Sequence, residues 1–65
     1  MIEPAKLFAR LTGELEDLHG LTVEGQQADQ PPEVLGALVA SIGSGLQRVG
    51  TTLAELRRSV EAQRK

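Results

Sequence analysis

Residues 35–60 read LGALVASIGSGLQRVGTTLAELRRSV, and their large aliphatic side chains recur at alternating steps of four and three residues. These positions are Leu35, Val39, Ile42, Leu46, Val49, Leu53, Leu56 and Val60. The spacing is a heptad repeat, which places a continuous apolar stripe along one side of a long α-helix. Because one helix cannot bury such a stripe against itself, the stretch predicts packing of helix against helix.

Chain length and composition limit how such a helix can be stabilised. A chain of 65 residues forms at most one small domain, and a domain of this size buries only about 60% of its unfolded surface. Small domains usually compensate with disulfides, metals or oligomerisation. The chain has no Cys and one His, which excludes disulfides, thiolate metal sites and multi-His sites within one chain. We therefore expect it to pair with copies of itself.

The sequence favours a cytoplasmic protein. Residues 1–4 show no basic segment followed by an apolar run, so we expect no secretory signal peptide. The longest uncharged stretch, residues 34–47, has 14 residues, whereas a membrane-spanning helix needs about 20. We expect no membrane partner.

Two helices are predicted within a single domain that covers residues 1–65. The first spans about residues 4–20, because Pro4 suits a first helical turn and Gly20 suits a helix end. An alternative end for this helix is Gly25. The polar, Pro-terminated segment that follows predicts a loop over about residues 21–30, and the second helix spans about residues 31–63.

These lengths predict an all-α fold, a two-helix antiparallel hairpin with a short first and a long second helix. The loop is too short for the first helix to reach the far end of the second, so Leu53, Leu56 and Val60 would extend past it. An antiparallel homodimer would cover this overhang as a four-helix bundle with coiled-coil-like packing. Charge favours the same arrangement, since residues 1–33 carry a net −5 and residues 34–65 a net +3.

Glycines inside the second helix indicate a special contact. Each interior Gly costs about 1 kcal/mol relative to Ala, so Gly43 and Gly45 predict a close approach of helices near the middle of the dimer. A kink at residues 41–45 is the alternative. The complete predicted dimer and core interface is Phe8, Leu11, Leu15, Leu18, Leu35, Val39, Ile42, Gly43, Gly45, Leu46, Val49, Gly50, Leu53, Leu56 and Val60.

Catalytic or metal chemistry has little support in the sequence. His19 is the only candidate side chain for acid–base chemistry at neutral pH, and Glu16 precedes it at the Glu-x-x-His spacing of di-iron bundles. However, Leu15 and Leu18 take the core positions of this helix, which predicts that Glu16 and His19 lie on the surface. No nucleophile and base set can be assembled, so we expect no enzyme activity, no metal and no cofactor.

A group of bases near the second helix's end is the one candidate patch for another partner. It comprises Arg48, Arg57, Arg58, Arg64 and Lys65. Its position at a helix C-terminus favours cations in any case, and it lacks interleaved aromatic residues. The sequence thus predicts a non-enzymatic assembly or adaptor protein that pairs with itself and docks another protein. The alternative is a nucleic-acid-binding regulator that uses the basic patch.

Overall fold

A computed structural model describes residues 3–64 of the chain and contains two α-helices. Helix α1 spans Pro4–Gly25 and helix α2 spans Pro32–Gln63. The helices pack side by side into a rod whose Cα atoms extend over 54 × 15 × 12 Å. The predicted all-α hairpin, with a short first and a long second helix, is confirmed.

Helix α1 extends beyond Gly20, the residue at which the sequence predicted its end. It runs five residues past the expected end near residue 20, so Gly20 lies in the helix interior. Leu21 comes three residues after the buried Leu18 and is itself half-buried. Packing of Leu21 against α2 extends the apolar stripe beyond Gly20 and offsets the roughly 1 kcal/mol that an interior Gly costs. The alternative end at Gly25 is the correct one.

Six residues, 26–31, connect the helices rather than the ten that the sequence predicted. Asp29 adopts a left-handed backbone conformation with φ of 63°, which Asp tolerates better than most residues. The side-chain amide of Gln30 donates hydrogen bonds to the carbonyl oxygens of Glu24 and Gln27, at 2.5 and 3.5 Å. The bond to Gln27 satisfies a loop carbonyl, and the bond to Glu24 adds to the one that the Gln27 N–H already donates to the same carbonyl at 3.2 Å.

The helices are antiparallel, and four contacts define their register. Gly25 lies against Leu38 near the loop, and Leu18 lies against Gly45 in the middle. Further from the loop, the Thr52 hydroxyl donates to a Glu14 carboxylate oxygen at 2.9 Å, and Arg10 pairs with Glu55 at 2.8 Å. Helix α1 therefore follows α2 from Leu38 to beyond Glu55.

The prediction that the C-terminal part of α2 extends past α1 is wrong. Leu56 is only 5% exposed and Ser59 only 2% exposed within the single hairpin, because α1 reaches their level. The short loop places the end of α1 opposite Leu38, and the remaining residues of α1 then cover the second half of α2. Leu53 and Val60 are exposed because they point away from α1, and not because α1 stops short of them.

The region around Gly45 is a close contact, and α2 has no break there. Helix α2 is continuous from Pro32 to Gln63, and a Cβ atom at Gly45 would lie 2.5 Å from Cδ2 and 3.2 Å from Cγ of Leu18. The predicted close approach therefore occurs within one hairpin. Gly43 takes no part in it, since a Cβ atom there would meet nothing within 4 Å.

Candidate interaction surface

The contact between the helices is a narrow stripe on each of them, which we call the inner stripe. Its members are buried or half-buried and recur at steps of four and three residues. On α1 they are Leu7, Leu11, Glu14, Leu18 and Leu21, and on α2 they are Leu38, Ile42, Gly45, Val49, Thr52, Leu56 and Ser59. Several members on α2 are small or polar, so the helices approach closely but bury little aliphatic surface.

The structure divides the interface residues that the sequence predicted into two groups. One group contributes to the inner stripe and consists of Leu11, Leu18, Ile42, Gly45, Val49 and Leu56. The other group is exposed in the hairpin and consists of Phe8, Leu15, Leu35, Val39, Gly43, Leu46, Gly50, Leu53 and Val60. The prediction that all of them form one interface is therefore not met within a single chain.

Two broad faces flank the inner stripe, and one ion pair shows which residues lie on the same face. Arg10 directly precedes Leu11, Glu55 directly precedes Leu56, and their side chains pair at 2.8 Å. Residues that precede inner-stripe positions thus share one face of the hairpin. Both helices are right-handed and run in opposite directions, so residues that follow inner-stripe positions share the opposite face.

The face formed by the following residues carries most of the large exposed side chains, and we call it the apolar face. Its six large members are 39–69% exposed. They are Phe8 and Leu15 on α1 and Val39, Leu46, Leu53 and Val60 on α2. On α2 these side chains recur every seven residues from Val39 to Val60, and Phe8 and Leu15 join them from α1, so they share one face of the rod.

The face formed by the preceding residues is polar, and we call it the polar face. It includes Arg10, Gly13, Asp17, Ser44, Arg48, Thr51 and Glu55. An open cleft of about 550 Å³ lies there, lined in part by Arg10, Arg48 and Glu55. Glu14 reaches the cleft from the inner stripe, where its Oε2 accepts the Thr52 hydrogen bond. Its Oε1 is buried and has no hydrogen-bond partner among residues 3–64.

Sequence reasoning missed the polar members of the inner stripe. Thr52 and Ser59 lie seven and fourteen residues after Gly45, in the same heptad position, and both are only 2% exposed. Their regular spacing with Gly45 was visible in the sequence as a row of small residues beside the heptad stripe. That row is typical of close helix approach, but Gly36, Gly43 and Gly50 form a second row of small residues on the other side of the stripe, so the sequence alone did not select the side of α2 that faces α1.

The other candidate residues do not gather into one site. His19 and Glu16 are both exposed. Within the described part of the chain, no group of three or more His, Cys, Asp or Glu side chains is arranged to hold a metal ion.

The predicted basic patch is divided between faces. Arg48 and Arg58 precede inner-stripe residues, whereas Arg57 follows one. Arg64 contacts Glu61 at 3.5 Å, and Lys65 lies outside the described residues.

Neither described helix combines the length and the apolar character needed to cross a membrane. No protein family matches the chain, and comparison with curated proteins and with solved structures gives no significant match. The fold and the two faces are therefore described from the geometry of this chain alone, and its apolar face is the candidate site of interaction.

Proposed function

We propose that the protein is a small, non-enzymatic assembly and adaptor protein whose apolar face pairs with a second copy to form a four-helix bundle. The observation that carries the proposal is the exposure of Leu46 and Leu53, near the middle of α2, on a face that spans both helices. Stable domains bury their apolar surface between at least two layers of secondary structure. A single hairpin is one layer, and a second copy supplies the other.

The dimensions of the apolar face suit such a pairing. The Cα atoms of the hairpin extend over 54 by 15 Å, a footprint of roughly 800 Å², which is close to what each partner buries in a standard protein interface. Among residues 3–64, the buried aliphatic side chains are Leu7, Leu18, Leu38 and Leu56. The additional burial in a dimer would stabilise the helices themselves as well as the assembly.

In this bundle the polar face of each copy points outward. Its side chains include Arg10 and Glu55, which are paired, and Arg48, which lines the same cleft. A surface of mixed charge that remains accessible on both sides of a dimer is suited to docking another protein. The adaptor role is assigned to this surface, and the assembly role to the apolar face.

Two substitutions on either side of Gly45 test the proposal. Ser44 lies on the polar face and Leu46 on the apolar face, and both are exposed in the hairpin. Leu46→Asp would place an unpaired charge in the bundle core, which costs several kcal/mol. Ser44→Asp adds the same charge outside the bundle, four residues before Arg48, where an ion pair is mildly favourable.

The measurement is solution mass by light scattering over a dilution series, with helicity followed by circular dichroism. We expect a wild-type dimer, a Ser44→Asp dimer, and a Leu46→Asp monomer with much reduced helicity. A wild-type chain that is monomeric and fully helical at all concentrations would contradict the homodimer. Equal behaviour of the two variants would mean that the apolar face is not the assembly surface.

Nucleic-acid binding is a second candidate function. The observation that favours it is the position of Arg57 and Arg58 in the last two turns of α2 and of Arg64 at its C-cap, at the end of the rod away from the loop. Binding through phosphates would weaken as salt increases. A labelled duplex or single strand that shows no mobility shift with the protein at low salt would remove this candidate.

A further inference from the structure

We infer that the two copies pair antiparallel, about a two-fold axis that crosses the apolar face at the level of Leu15 in α1 and Gly50 in α2. The inference rests on the proposed homodimer and adds its orientation and register. It pairs Leu15 and the four apolar residues of α2 with particular residues of the second copy. Three observations support it.

The first observation is the symmetry of the apolar residues on α2. Val39, Leu46, Leu53 and Val60 are evenly spaced by seven residues, and their midpoint lies between Val49 and Gly50. When two such helices run antiparallel about this midpoint, Leu46 of one copy meets Leu53 of the other, and Val39 meets Val60. Every large apolar residue of this stripe then has an apolar counterpart.

The second observation is that the hairpin register places α1 on the same axis. Glu14 lies opposite Thr52 and Leu18 lies opposite Gly45, so Leu15 is at about the level of Gly50. An axis at the midpoint of the α2 stripe therefore passes beside Leu15 and brings the two Leu15 side chains together. One two-fold operation thus serves both helices, as an isologous interface requires.

The third observation is the distribution of charge along the rod. On the loop side of the proposed axis, residues 16–49 contain five acids and one base, a net of −4. On the other side, residues 3–15 and 50–64 contain four acids and five bases, a net of +1. A dimer with both loops at one end would place two strongly acidic halves together. The antiparallel dimer places each acidic half beside a weakly basic one, and this difference selects the orientation.

Glycines beside the apolar stripe of α2 are compatible with this packing. Cβ atoms added at Gly43 and Gly50 would meet nothing within 4 Å in the hairpin. Both residues occupy the heptad position next to Leu46 and Leu53, on the side away from α1. The missing side chain of Gly50, which lies at the axis, leaves room for the two α2 helices to approach each other there.

Single-cysteine variants test the register directly, because the natural chain contains no Cys. Leu15→Cys and Gly50→Cys place a thiol at the axis on α1 and on α2. Two glycines with open surroundings supply matched controls. Gly36→Cys lies in the same heptad position as Gly50 but far from the axis, and Gly13→Cys lies near the level of the axis but on the polar face.

A disulfide forms only where the two Cα atoms approach within about 7 Å. In the proposed dimer, both axis variants meet this requirement, whereas the Gly36 positions of the two copies are roughly 40 Å apart at 1.5 Å per residue. Under mild oxidation we expect disulfide-linked dimers of Leu15→Cys and Gly50→Cys to form at least tenfold faster than those of either control.

A distance measurement determines the relative orientation of the two copies, and its label lies far from the two-fold axis and so leaves the packing there unchanged. A nitroxide attached to Gly36→Cys gives an interlabel distance by pulsed electron paramagnetic resonance. We expect about 40 Å, whereas a dimer with both loops at one end gives less than about 20 Å, the width of a four-helix bundle.

Mass measured under reducing conditions separates the possible failures. A dimer with the short distance, or with equal cross-linking at Gly36 and Gly50, would overturn the antiparallel register and leave the homodimer standing. A wild-type monomer would overturn the homodimer and the register together.

Discussion

The two broad faces of the hairpin differ by a single step along each helix. In α2, Ser44 and Leu46 flank the buried Gly45, and Thr51 and Leu53 flank the buried Thr52. The preceding residue is polar in both cases, and the following residue is a large leucine. A displacement of one residue therefore separates a surface suited to water from a surface suited to another layer of helices.

This difference shows how the chain distributes its aliphatic side chains. The inner stripe of α2 uses small or polar residues at Gly45, Thr52 and Ser59, which let α1 approach closely. The large residues beside them, Leu46 and Leu53, remain outside that contact. The hairpin is thus specified by a close but thin interface, and in the proposed dimer a second copy would bury the large residues that lie outside it.

The largest expected effect comes from truncating two leucines of α2, of which Leu56 lies inside the contact with α1 and Leu53 lies outside it. Leu56 is 5% exposed and Leu53 is 45% exposed in the hairpin. We expect Leu56→Ala to lower the free energy of unfolding by about 2–5 kcal/mol, since it leaves a cavity in the inner stripe. Leu53→Ala should cost less in the hairpin itself and weaken the contact with the second copy.

Urea denaturation of both variants at two protein concentrations measures these losses. Because most of the helicity is expected to disappear when the dimer dissociates, the unfolding midpoint of each protein should fall on dilution. We expect Leu56→Ala to have the lower midpoint at both concentrations. A lower midpoint for Leu53→Ala would show that the contact with the second copy contributes more to stability than the contact between α1 and α2.

An intermediate effect is expected at Gly43 and Gly45, which the sequence analysis predicted to lie in the same close contact. Gly45→Ala forces a Cβ atom against Leu18, and overpacking of this kind typically costs about 1–3 kcal/mol. The gain of about 1 kcal/mol in helix propensity offsets part of that loss. Gly43→Ala gains the same helix propensity without a contact with α1. Thermal denaturation should therefore show a higher melting temperature than wild type for Gly43→Ala and a lower one for Gly45→Ala. A lower melting temperature for Gly43→Ala would reveal a close contact that the hairpin does not contain.

The smallest effect concerns the polar contact between Glu14 and Thr52. Thr52→Val removes the hydroxyl that donates to Glu14 and leaves a partly buried carboxylate without that donor. We expect a loss of about 1 kcal/mol in the free energy of unfolding, measured by urea denaturation. Replacing both partners, as Glu14→Leu with Thr52→Val, should recover most of it. A double variant less stable than Thr52→Val would mean that Glu14 stabilises the hairpin through some other contact.

Much of the fold was predictable because it depends on local spacing. The heptad pattern of residues 35–60 predicted one long helix, and Pro32 and Gln63 bound it close to the expected limits. The end of α1 was less predictable, since Gly20 is a good helix end in isolation. Packing of Leu21 against α2 overrides that preference, and such tertiary effects are not visible in the spacing of one helix.

The candidate interaction surface was predictable only in part. Phe8, Leu15 and Leu46 were placed in an interface from their spacing, and they are exposed on one face of the hairpin. Their spacing could not say that Leu18 and Leu56 would be buried within a single chain instead. Heptad periodicity defines a band about 100° wide, and either edge of that band can face the first partner helix.

By itself, the sequence determined the helical content, the hairpin and the existence of a stripe too wide for one partner. Only the tertiary structure decided which edge of the stripe lies inside the hairpin. The reason is shape. Because Gly45 has no side chain, Leu18 packs against the α2 backbone there, and the edge of the stripe that carries the small residues lies against α1. The large residues at the other edge, Leu46 and Leu53 among them, are thereby left facing outward.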